Sequence, residues 1–355
     1  MKIGIIGLQN SGKTTIFNAL TRSEAEVADY SNARAEPNLA VVNVEDERIT
    51  HLTEMYKPRK TIHATVEFID FAGVARHSDK GGFPPELVQA ARITDALAVV
   101  VRNFHHDLME EPTPSTDLES IEDEMILSDL IIVETRLERI AQDNKKGKKT
   151  PQTVLEEETL HAIRDTLNEG APIRGMKLSG EAEKALRGFQ FLTQKPLMVI
   201  VNSDEERFGK NAPLLAELGA KYRTIEFAGN FEMELSRLTE GEDIRLFMED
   251  MGITESARSL LTRTAYELLG YISFFTVGPD EVRAWNLKRG QSAVEAAGVI
   301  HSDLARGFIR AECFSYADLL ACGSEKAIKE KGLLRLEGKE YPVKDGDILC
   351  IRFNV

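Results

Sequence analysis

The 355-residue sequence predicts an α/β protein: a parallel sheet, interrupted by an inserted helical hairpin and followed by a smaller β-grasp-like module. Three observations predict it. Short apolar runs alternate with helical stretches, the pattern of parallel strands joined by helices. A heptad-spaced segment with a polar break lies between two of those runs. Near Phe274 the pattern changes to short alternating strands with glycine turns.

Ile3 to Ile6 is a short apolar run stopped by Gly7, the shape of a strand buried on both faces. A helix pattern follows through Ile16, Phe17 and Leu20. Val66 to Ile69 predicts a second buried strand ending at Asp70, Ala96 to Val101 a third and Leu197 to Val201 a fourth. Leu130, Val133, Leu137 and Ile140 recur at heptad spacing, and Leu160, Ile163 and Leu167 repeat it beyond the break DNKKGKKTP. Two helices joined by a short polar turn make an antiparallel hairpin. A strand follows it, so the hairpin is an insertion. The expected organisation is a nucleotide-binding domain over residues 1–130 and 193–273, the hairpin over 131–192 and the last module over 274–355.

A hydrophobic fraction of 42% supports folded cores and argues against disorder. The net charge of −14 argues against a chain that coats nucleic acid over its whole surface, leaving only a local basic patch for such contact. Lys145, Lys146, Lys148 and Lys149, around Gly147, are the candidate patch, with a solvated turn the open alternative. Cys313, Cys322 and Cys350 have no zinc-ligand or C-x-x-C spacing, and a sparse odd set fits a reducing compartment. The N-terminal apolar stretch is too short for a signal peptide, and no run approaches the ~20 apolar residues of a membrane span. A cytoplasmic monomer is expected. The adjacent His105 and His106 read as a loop rather than a metal site.

The chemistry is concentrated in three places. Gly7-Leu8-Gln9-Asn10-Ser11-Gly12-Lys13-Thr14 matches G-x-x-x-x-G-K-[ST], after a strand and opening a helix. Glycines there let backbone N–H groups wrap phosphates, and the helix N-terminus favours negative charge. Asn10, Ser11, Gly12, Lys13, Thr14 and Thr15 are therefore phosphate-binding candidates. Lys13 would reach the β- and γ-phosphates and Thr14 would ligate Mg²⁺. Asp70-Phe71-Ala72-Gly73 stands at the end of a buried strand, so Asp70 can hold the water shell of Mg²⁺ and Gly73 can offer its N–H to a γ-phosphate. Arg76, Lys80, Gly81 and Gly82 follow in a loop suited to an order–disorder switch. Asn202-Ser203-Asp204-Glu205 occupies the place where many GTPases carry N-K-x-D. Glu205 is one methylene too long for the guanine contact that an Asp makes. Phe227-Ala228-Gly229 falls where a second base-contacting loop belongs.

Through these motifs the chain resembles the YchF family of Obg-related P-loop proteins over nearly its whole length. The Asn202–Glu205 loop, Glu36-Pro37-Asn38, the helical insertion and the C-terminal stretches Val282 to Trp285, Ala296 to Asp303, Gly307 to Glu312 and DGDILCIRFNV carry the resemblance. It implies a TGS domain at the C-terminus, ATP preferred over GTP, slow hydrolysis and ribosome association. Two segments depart from the family: Arg34 stands where a switch threonine is aligned, and His77, Ser78, Pro84 and Pro85 alter the second switch. Val74 occupies the place of a water-positioning Gln. The favoured reading is thus an Mg²⁺-dependent ATP hydrolase acting as a ribosomal switch. A GTP-specific switch and a nucleotide-gated binding module with little hydrolysis remain alternatives.

Overall fold

The computed structural model describes residues 1–21, 37–71, 83–237, 248, 253 and 255–354. Gly73, Val74, Arg76, Lys80, Arg34 and Glu36 lie outside them. The chain divides into two compact units, Met1–Ala40 with Glu67–Ala257, and Val41–Val66 with Arg258–Val355.

The first unit is built on a six-stranded sheet. Its strands are β1 (Lys2–Ile6), β2 (Asn38–Asn43), β4 (Thr65–Asp70), β5 (Ala96–Asn103), β6 (Leu197–Ser203) and β7 (Arg223–Phe227), in the order β2-β4-β1-β5-β6-β7. β4, β1, β5, β6 and β7 pair in parallel. Every residue of β5 and β6 is buried, because helices cover both faces of such a sheet. The register sets Ile5 beside Asp70 and Asn202 beside Phe227, so the C-terminal ends of these strands gather along one edge. Ligands of open α/β sheets bind at that edge.

The insertion is rooted in this unit. Helix α4 (Pro114–Lys145) runs unbroken for 32 residues, about 48 Å at 1.5 Å per residue. It returns through α5 (Pro151–Asn168). Gly147 takes a positive φ of 76° in the turn, and Thr150 caps α5 in a reciprocal pair of hydrogen bonds with Thr153. Ile126, Val133 and Ile140 of α4 pack against Leu160, Ile163 and Leu167. The heptad reading is correct, but α4 begins well before residue 131 and belongs to the sheet's own core through Leu118, Ile121 and Met125.

The second unit carries a mixed sheet in the order β11-β10-β12-β8-β9-β3. Its strands are β3 (Lys60–Ile62), β8 (Tyr271–Thr276), β9 (Glu281–Lys288), β10 (Phe308–Ser315), β11 (Arg335–Glu337) and β12 (Asp347–Phe353). The helix Ala293–Ile300 packs its alanines on Ile272, Phe274, Leu287 and Leu349, as expected of a β-grasp module. One difference from the expected boundaries stands out. Residues 44–64, between β2 and β4, join this unit rather than the parallel sheet. β3 pairs in parallel with β9 at the sheet edge, and Arg48 bridges Asp46 and Asp345. A three-residue strand has too little pattern to announce a partner more than 200 positions away. Among the described residues, no helix is long and apolar enough to cross a membrane.

Candidate functional site

The phosphate loop runs from Gly7 into α1 (Lys13–Thr21). Asn10 and Gly12 take positive φ of 60° and 88°. The tight turn therefore needs residues that tolerate the left-handed region. A Cβ on Gly7 would lie 2.5 Å from the Val100 carbonyl oxygen, so only glycine lets the loop lie on β5.

Lys13 is 7% exposed. Its ammonium donates to the Gly7 carbonyl at 3.0 Å and the Leu8 carbonyl at 2.7 Å. Burial pushes its pKa down to about 8, with the negative charge of Asp70 opposing the fall. The Thr14 hydroxyl donates to Asp70 Oδ2 at 3.1 Å, and the Asp70 carboxylate is fully buried. A hydroxyl and a carboxylate side by side at the mouth of a phosphate loop are the hard oxygen donors that suit Mg²⁺. The residues present fit that ion.

The second half of the site hangs on Asn202, the last but one residue of β6. Its side-chain N–H donates to the Ser11 carbonyl at 3.0 Å, and its Oδ1 accepts from the Gly229 N–H at 3.1 Å. One buried amide thus ties the phosphate loop to the loop entering α8 (Gly229–Arg237). The fit is close. A Cβ on Gly12 would lie 2.1 Å from Asn202 Nδ2, and one on Gly229 would lie 2.7 Å from Oδ1.

Other predicted residues take different places. Ser203 turns away from the site, accepting from Asn103 at 2.9 Å and donating to Glu226 at 2.7 Å. Asp204 caps its own turn through the Arg207 N–H at 2.8 Å. Glu205 is exposed and makes no hydrogen bond or ion pair among the described residues. Phe227 and Ala228 are buried, so any contact they make with a base comes from their backbone, while Gly229 contributes the N–H already described.

Sequence reading missed Glu226, which holds Ser203, Asn211 and the Gly209 N–H. No local signal marks the penultimate residue of β7, a carboxylate, as a loop anchor. It also missed the loop after β5, where Phe104 and Met109 approach the phosphate loop. His105 and His106 lie in that loop. Among the described residues no cluster of three His, Cys, Asp or Glu could hold a metal.

The chain is 39% identical to a Bacillus subtilis protein named ribosome-binding ATPase YchF, covering 99% of each. The chain belongs to the YchF family. An Escherichia coli O157:H7 member of the same name is 37% identical over 100% of this chain and 99% of its own. The solved structure of the Schizosaccharomyces pombe YchF GTPase matches with a TM-score of 0.86 at 30% identity, over 99% of this chain and 97% of that one. A family model described as 50S ribosome-binding GTPase matches residues 2–136. The model of the YchF C-terminal domain, described as a protein of unknown function, matches residues 271–354. The YchF fold, a P-loop domain joined to a C-terminal domain, is therefore that of this chain.

Proposed function

We propose that the chain is an Mg²⁺-dependent P-loop nucleoside triphosphatase that prefers ATP to GTP, turns over slowly alone and acts as a switch on the ribosome. The bridge made by Asn202 carries the reading. A buried amide that fastens the phosphate loop to the loop at Gly229, 27 residues beyond the amide itself, makes sense when one ligand spans both.

In this reading Lys13 leaves the Gly7 and Leu8 carbonyls for the β- and γ-phosphates. The backbone of Asn10 to Thr15 wraps the phosphate oxygens at the positive end of α1. Thr14, with Asp70 acting through water, would hold Mg²⁺, which when bound supplies positive charge against the triphosphate. Asp70 and Gly73 register the γ-phosphate. Asn202, Glu205 and the backbone of Phe227 to Gly229 face the base. Val74 has no group to orient water, which supports a slow intrinsic rate.

ATP preference is supported by Glu205, whose extra methylene displaces the carboxylate from the place an Asp would take on guanine. The names of relatives divide, ATPase for the curated proteins and GTPase for the fission-yeast structure. Ribosome association is supported by those names and by the exposed lysines of the hairpin tip. The functional modules are then nucleotide domain, hairpin arm and TGS-like domain, in a cytoplasmic monomer.

Competitive titration of ATP against GTP with Mg²⁺ tests the base. A tenfold preference for GTP, about 1.4 kcal/mol, contradicts the proposal. Single-turnover phosphate release with and without ribosomes tests the hydrolase reading against a binding module without turnover.

A further inference from the structure

We infer that the loop 104–111 walls the nucleoside half of the site and that Arg102 is the residue that positions it. This rests on the nucleotide reading above. Arg102 is buried near the end of β5, at 8% exposure. Its guanidinium donates to the Phe104 carbonyl at 3.3 Å and to the Glu110 carbonyl at 2.6 Å. The same cation lies 6.0 Å from the Phe104 ring centroid. Two carbonyls six positions apart meet one guanidinium only when the chain between them folds back. The planar fork of Arg can serve both acceptors at once, whereas a lysine offers a single point charge.

The loop held in this way reaches both halves of the site. On the phosphate side, Asn10 donates to the Met109 sulfur at 3.9 Å, and the Phe104 ring comes within 3.7 Å of where a Cβ on Gly12 would stand. On the base side, the His105 N–H donates to Asp204 at 3.0 Å. Glu111 pairs with Arg207 at 2.8 Å and with His105 at 3.3 Å. Phosphate binding by the loop at Gly7 to Thr14 has no need of these contacts. A half-buried ring next to Gly12 and a thioether next to Asn10 do suit a flat heterocycle. Arg102 touches no reacting atom. Its work is to keep the wall closed, so it is a positioning residue, and its loss is felt only by ligands that have a nucleoside.

The test compares the affinity of the full chain for Mg-ATP and for Mg-tripolyphosphate, which lacks the nucleoside. Arg102→Met removes both donors while keeping most of the side-chain volume. It should weaken ATP about tenfold, roughly 1.4 kcal/mol, and leave tripolyphosphate within twofold. Arg102→Lys, which keeps the charge and one donor, should fall between, and it decides the matter if circular dichroism shows Arg102→Met unfolded. Equal loss for both probes, or no loss for either, in a folded variant overturns the assignment of Arg102. A wild type that binds neither probe overturns the nucleotide reading and the wall with it.

Discussion

Raising the pH should weaken ATP binding through Lys13 in particular. In the ligand-free site its ammonium is buried against two carbonyls and titrates near 8. A bound triphosphate surrounds it with negative charge and raises that value again, so binding requires the protonated form. Between about pH 7.5 and about pH 9.5 the protonated fraction falls about 25-fold, or roughly 2 kcal/mol of affinity at 1.36 kcal/mol per tenfold. Phosphate monoesters complete their second ionisation near 6, so the ligand does not titrate in this window. The effect on stability has the opposite sign. Between about 8 and 10.5 the unfolded chain holds a proton at Lys13 that the folded chain has released, so ligand-free stability rises with pH, by up to about 3 kcal/mol from this group. Calorimetric titration with Mg-ATP across the range, paired with denaturant melts, reads both slopes. Lys13→Arg stays charged throughout and should flatten the affinity slope. A wild-type affinity constant within twofold from about pH 7.5 to about pH 9.5 would refute the assignment of a depressed Lys13 to the phosphate site.

Three further outcomes follow from the same geometry. Asn202→Ala strands the Ser11 carbonyl and the Gly229 N–H, and should cost about 1–3 kcal/mol in urea melts while lowering nucleotide affinity; an unchanged midpoint would argue against the bridge. Asp129 is fully buried on α4 and accepts from Arg92 at 2.9 Å, from the Leu192 N–H and from both the N–H and hydroxyl of Thr193. Asp129→Ala should therefore cost about 3–5 kcal/mol, and the double change Asp129→Leu with Arg92→Met should cost less than the single one. Replacing Lys145, Lys146, Lys148 and Lys149 with Ala should weaken ribosome co-sedimentation and flatten its salt dependence without altering ATP affinity. Pelleting equal to wild type at every salt concentration would move the ribosome contact elsewhere.

Much of the site was legible because its chemistry is local. A strand, a glycine turn, Lys13 and Thr14 occur within a dozen positions, and the turn's positive φ values require the residues found there. Asp70 was legible because it ends an apolar run. Asn202 was legible as a loop residue, though not as a clamp, because Ser11 lies 191 positions away. Glu226 and Arg102 were not legible at all. A polar residue in or ending a buried strand takes its meaning from the loop it reaches, and pattern carries no record of that reach.

The sequence by itself determined the phosphate loop, the parallel strands, the heptad hairpin and the C-terminal module, since each follows from periodicity or from steric demands within one segment. Tertiary structure decided the rest. It assigned residues 44–64 to the second unit, through β3 on β9 and Arg48 between Asp46 and Asp345. It turned Ser203 toward Glu226 and buried Phe227, leaving that part of the loop only its backbone to offer. It closed the loop after β5 on one guanidinium. For the polar groups among these, the deciding energy lies in desolvated donors and acceptors that must find partners outside their own strand or turn. Those partners exist only once the sheet has brought the strand ends together.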